Sequence, residues 1–98
     1  MKRVYVAHPY MGKRRNKKKV ERIIKKLIKK NHCILCISPI HTFGFLYFDL
    51  SYHQGIEICL KLLAMCDELW LCEGWEKSEG CRIEKNFAEI MEIPIKYL

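Results

Sequence analysis

Apolar positions follow two different periods along the chain. Residues 2–7 read as a short buried strand, rich in Val and Tyr, and His8-Pro9-Tyr10-Met11-Gly12 interrupts it with a Pro and a Gly. From about 14 to 30 the apolar residues are Val20, Ile23, Ile24, Leu27 and Ile28, spaced 3, 1, 3, 1. That is one face of a helix, with lysines filling the other, and Asn31-His32 ends it. Cys33 to Ser38 is a second apolar run, bounded by Pro39. Residues 39–50 are irregular and dense in aromatics. A helix is predicted from about 51 to 65 with Ile56, Leu60 and Leu63 inward, then a strand over 68–72 entered through Asp67, then a loop over 73–77. Ser78 is a candidate N-cap for a last helix running to about 91, with Ile83, Phe87, Ile90 and Met91 as its apolar face. Residues 93–97 give a fourth strand whose Pro94 suits a strand start or an edge.

Strands alternating with helices, the strands apolar throughout, imply a parallel sheet covered on both faces. The expected architecture is α/β: a small flavodoxin-like three-layer sandwich, four parallel strands in the order 2-1-3-4 with three helices, spanning 1–98 as a single domain. Ligands of such sheets bind beyond the carboxyl ends of the strands, where strand order reverses. This rule selects the loops 8–13, 39–50 and 73–79.

Composition narrows the picture. At 98 residues, 50% hydrophobic and 30% charged, the chain has the balance of a soluble domain that can build a core of its own. No segment approaches a membrane span, so no membrane partner is expected. The apolar start stops at His8-Pro9, too short for an export signal, which points to a cytoplasmic protein. The six cysteines are then expected to be reduced. Cys33 and Cys36 have CxxC spacing, but on a strand they point to opposite faces, so no metal site and no cofactor is expected. The net charge of +7 is uneven: residues 1–32 carry 13 Lys/Arg against one acid, residues 33–98 carry five against ten. The basic run is read as a solvated helix face in preference to a nucleic-acid surface. Phe43, Phe45, Tyr47 and Phe48 in the second loop suit ring stacking, core capping or a subunit contact, and a homo-oligomer is expected from them.

The candidate chemistry lies in the three loops. The first offers His8, Tyr10 and Gly12, the second Ser38 and His41, the third Ser78 and Gly80. None has a glycine-rich phosphate-binding pattern. On a helical wheel with Ile83 at zero, Phe87 lies near 40°, Gly80 near 60°, Glu84 near 100° and Ala88 near 140°, at about 100° per residue. Glu84 therefore borders the buried face, with small residues a turn before and after it. It lies in the second turn of a helix whose N-terminus faces the crevice, where the helix dipole should keep a carboxylate ionised. A positioned carboxylate beside open space is what a glycosyl-transferring nucleophile requires. The same position also suits a surface residue or an ion-pair partner.

Val4-Tyr5-Val6-Ala7-His8-Pro9-Tyr10, Cys66-Asp67-Glu68-Leu69-Trp70 and Ser78-x-Gly80-x-x-x-Glu84-x-x-x-Ala88 occur here in an order that resembles the nucleoside 2-deoxyribosyltransferase-like superfamily, in particular its short members common in phages and bacteria. The resemblance covers nearly the whole chain. It implies cleavage or exchange of an N-glycosidic bond, by hydrolysis or transfer, on a nucleoside- or nucleotide-type small molecule. Glu84 matches the nucleophile, Tyr10 a position near the sugar, and Ser78 and Gly80 a loop that touches sugar or phosphate. His8 stands where a small residue is usual. The sequence departs from the pattern at Arg82, where a glycine is common, and near Cys59, where an acid is often found. Two readings follow: an N-glycosidase or deoxyribosyltransferase acting through Glu84, or a non-catalytic binder that sequesters a nucleotide-derived signal of the ADP-ribose or cyclic-nucleotide type.

Overall fold

A computed structural model describes residues 1–98. The elements are β1 (Lys2–Ala7), α1 (Arg14–Lys30), β2 (Ile34–Ile37), α2 (Pro39–Phe43), α3 (Tyr52–Ala64), β3 (Glu68–Leu71), α4 (Glu79–Ile90) and β4 (Ile95–Tyr97), with 3₁₀ turns at Gly44–Leu46 and Trp75–Lys77. The four strands form one parallel sheet in the order β2-β1-β3-β4. This is the expected flavodoxin-like sandwich. The helix count is four where three were expected, because α2 occupies part of the stretch read as irregular. Ser38 caps it by accepting from the His41 backbone N–H, and Pro39 starts it, the position where a missing N–H costs least.

Alternation along the central strands sorts side chains between two cores. Val4 and Val6 of β1, with Trp70 and Cys72, face Val20 of α1. Tyr5 and Ala7, with Leu69 and Leu71, face Leu63 of α3 and Cys81 and Ala88 of α4. Tyr5, on this second face, is fully buried in the middle of the sheet. It shares that layer with α4, which fixes the chemistry described below. Local signals set the helix starts. Ser51 and Gln54 form a reciprocal capping box on α3, and Ser78 Oγ accepts from Cys81 N at 3.2 Å on α4. At the C-terminus of α4 the expectation fails: Ile90 and Met91 are exposed. Ile93 N–H turns back to the Ala88 carbonyl at 2.8 Å, and the chain leaves for β4 before a further turn can bury them. Asp67 holds the strand entrance, accepting from Arg3 N at 2.7 Å, and Arg3 keeps its carboxyl below the usual range.

Candidate functional site

A cavity of about 520 Å³ opens at the carboxyl ends of β1, β2 and β3, within the size range of small-molecule sites. The loop after β1 contributes His8, Tyr10 and Met11. α2 and the following turn contribute Pro39, Ile40, Phe43 and Tyr47. α3 presents Tyr52, Gly55, Ile56 and Cys59, and the start of α4 presents Ser78, Gly80, Cys81 and Glu84. The wall is mostly apolar and aromatic, with Lys77, Ser78, Glu79 and Glu84 polar on the α4 side and His8 and Ser51 polar elsewhere.

Glu84 is the one buried acid of the chain, with 6% of its surface exposed. The Tyr5 hydroxyl donates to Glu84 Oε2. The Cys59 thiol lies against the same hydroxyl, so phenol, thiol and carboxylate form a small polar group inside an apolar wall. Burial pushes the Glu84 carboxyl up to about 7, and the Tyr5 hydrogen bond opposes that rise. The direction departs from the sequence expectation that the helix dipole would hold this group ionised. Loss of hydration outweighs the end of a short helix. Tyr5 is held well above its ordinary value by burial first and by the neighbouring Glu84 charge second, so it stays a hydrogen-bond donor at neutral pH. Cys59, raised to about 11 chiefly by burial, and Cys81, raised to about 12 for the same reason, stay thiols.

Five of the residues singled out from the sequence line this cavity: His8, Tyr10, Ser78, Gly80 and Glu84. His8 Nδ1 lies 2.7 Å from the Pro9 carbonyl, which can only accept, so that nitrogen carries a proton. Three lie elsewhere. Gly12 sits behind the rim at φ +68°, and a Cβ on it would come within 2.7 Å of the Phe48 ring and 3.0 Å of Tyr47. It lets the first loop pass beneath an edge-to-face run of Tyr10, Tyr47 and Phe48, with ring centroids 5.1 and 5.0 Å apart. Ser38 and His41 turn away from the cavity to a shallow depression beside α1. Ser38 Oγ meets His41 Nδ1 at 2.8 Å and His41 Nε2 meets Glu21 at 2.8 Å, so this pair caps α2 and ties it to α1. No three His, Cys, Asp or Glu side chains gather to share a metal ion.

Sequence reasoning missed Tyr52 and Cys59 as wall residues and Tyr5 as the buried partner behind Glu84. For Tyr5 a signal existed: a tyrosine at the centre of a fully buried strand brings a hydroxyl that needs a partner. Pairing it with Glu84, 79 residues on, requires the sheet order and the strand alternation together.

Among solved structures the fold is similar to that of a 2-desoxiribosyltransferase from Leishmania mexicana. The TM-score is 0.72 at 14% sequence identity, covering 100% of this chain and 64% of that one. At that identity the likeness is one of fold, and this chain spans about two thirds of its neighbour's length. No curated protein matches the sequence. The family model described as "Domain of unknown function (DUF4406)" matches residues 2–97, nearly the whole chain, and the protein therefore belongs to the DUF4406 family.

Proposed function

We propose that the cavity binds a nucleoside- or nucleotide-type molecule and that Glu84 cleaves or exchanges its N-glycosidic bond. The observation that carries this reading is a lone buried carboxylate in the cavity wall, oriented by a phenol that donates to one of its oxygens. The donor fixes Oε2 and leaves Oε1 as the attacking atom. Oε1 forms a bond to the anomeric carbon while the bond from that carbon to the base nitrogen breaks. The base leaves with the electron pair and takes a proton from solvent. Water or a second base then attacks the same carbon and frees the carboxylate, through an oxocarbenium-like transition state of the kind retaining glycosidases use. Tyr10 and Tyr52 offer flat faces for the base or sugar. Ser78 and the first turn of α4 face the polar end of the ligand. Likeness of fold to a 2-desoxiribosyltransferase supports the substrate class but not the chemistry.

Incubating the protein with a panel of nucleosides and nucleotides and following free base by chromatography tests the reading. Base should accumulate with the native chain, and Glu84→Gln should slow its release at least about a hundredfold, the scale of losing a covalent nucleophile. Equal release by both proteins overturns it. A second reading, binding without turnover, draws on the immediate surroundings of Glu84, where a thiol (Cys59) and a phenol (Tyr5), both held protonated at neutral pH, flank the carboxyl. Micromolar binding by calorimetry with no base released selects it.

The exposed aromatic rim supports a second part of the reading, self-association. Phe45 and Phe48 are 76% and 82% exposed beside half-exposed Tyr47 and Tyr52, an apolar patch at the mouth of the cavity that a second copy would cover.

A further inference from the structure

Helix α1 breaks the rules that ordinarily stabilise a surface helix. Ten of its seventeen residues are Lys or Arg, and all ten are exposed. Like charges stand four apart at 14/18, 15/19, 18/22, 22/26, 25/29 and 26/30, each an unfavourable pair. Arg14, Arg15 and Lys17 crowd the positive end of the helix dipole, and the first turn has no acid to offset them. The helix's one carboxylate, Glu21, is taken by His41 at 2.8 Å, and none of the ten cations is in an ion pair. Interspersed acids would keep this face solvated without the repulsion. A sequence that keeps a local conflict of this size has a use for the charge.

The shape of the charged face indicates its partner. Val20, Ile23, Ile24 and Leu27 are packed into the core beneath the sheet. The cations occupy the remaining arc, about 220° of the circumference at about 100° per residue, along roughly 25 Å of helix at 1.5 Å per residue. A flat anionic surface meets only the cations that point at it. The arc also offers one large apolar side chain, Ile28 at 44% exposure, too little to enter a bilayer. A groove with phosphates on both walls meets the whole arc.

We propose that α1 is a nucleic-acid-binding element that seats its cationic arc in the major groove of duplex DNA, which admits an α-helix. Seven of the ten cations are lysines, point charges suited to phosphates rather than base edges, so recognition is independent of sequence. The proposal stands apart from the cavity chemistry.

Fluorescence anisotropy of a labelled mixed-sequence duplex, titrated with the full chain, tests it. Six or more phosphate contacts should weaken binding about a thousandfold between roughly 50 and 200 mM salt. Replacing Lys18, Arg22, Lys25 and Lys29 together by Gln removes about four contacts, so the logarithmic salt slope should fall by about 3 to 4 and affinity at low salt by more than tenfold. Because that variant relieves repulsion, its melting temperature should not fall, which separates lost contacts from lost folding. Lys61→Gln on α3 should leave affinity within about twofold, as one cation outside the arc. No binding at low salt, a salt-independent affinity or full binding by the fourfold variant overturns the proposal. So does tighter binding to vesicles of phosphatidylcholine and phosphatidylserine than to the duplex.

Discussion

Glu84 carries the sharpest consequences at the scale of single residues. Its carboxyl titrates near 7 in the fold against an ordinary value of 4.5. A folded-state value raised in this way favours the fold when the group is protonated. The contribution is fully present below about 4.5 and is lost as pH rises through about 7, and its size is on the order of 3 kcal/mol. Thermal melts of the native chain and Glu84→Gln, compared from pH 5 to 8, should diverge, the native chain losing about 10 °C or more relative to the variant. Parallel curves would show that Glu84 is not held in a dry wall. If Glu84 is the nucleophile, base release should rise with pH to a plateau above about 7, since only the carboxylate attacks. Tyr5→Phe removes the bond that lowers this value, so the limb should move to higher pH and the plateau rate fall, while an unmoved limb would remove Tyr5 from the site. The wheel position of Glu84 was legible because helical periodicity is local. The dominance of burial over the helix dipole was not, because it depends on Tyr5, Cys59 and α3 closing over the carboxyl from 25 to 79 residues away.

Among the elements, those with a full period were legible and those without were not. β1 and α1 fall where the pattern puts them, residues 2–7 and 14–30, since six consecutive strand residues and five apolar positions at helical spacing each fix an element. α2, five residues long, is too short to show a period, and its only marks are Ser38 at the cap and Pro39 after it. That short helix redirects Ser38 and His41 to the α1 side, which is why two candidates from the second loop miss the cavity. Caps also yield a prediction. α1 begins at Lys13 with no side-chain cap, whereas α4 begins at Ser78 with one. Lys13→Asp supplies both an acceptor and a negative charge at the positive helix end, and should add about 1 kcal/mol, a rise of about 4–8 °C in melting temperature. Ser78→Ala should lower it by a similar amount and loosen the cavity wall that Gly80 and Glu84 form. Should Lys13→Asp leave stability unchanged, the strain argued for α1 would lose its basis.

The whole molecule combines a charge division with an apolar rim, and the two lie on different elements. The cations are on α1, while the exposed aromatics lie on the turn after α2 and the first turn of α3, where Tyr47 and Tyr52 line the cavity and Phe48 packs on Tyr47. Association through the rim would leave α1 free, whereas association through charge would pair α1 with the acidic remainder of a second copy. Salt distinguishes the two because apolar burial persists where ion pairing is screened, the Debye length falling to about 3 Å at 1 M. Sedimentation equilibrium at low and high salt should therefore give a mass above 11.7 kDa at both. Phe45→Ser with Phe48→Ser should return the protein to 11.7 kDa without loss of fold, because neither ring lies in the core. The same substitutions should weaken ligand binding only if the partner closes the cavity mouth, so a dimer dissociated by them with affinity intact would confine the rim to assembly. A monomer at every concentration and salt would instead leave Phe45 and Phe48 exposed with no part in assembly.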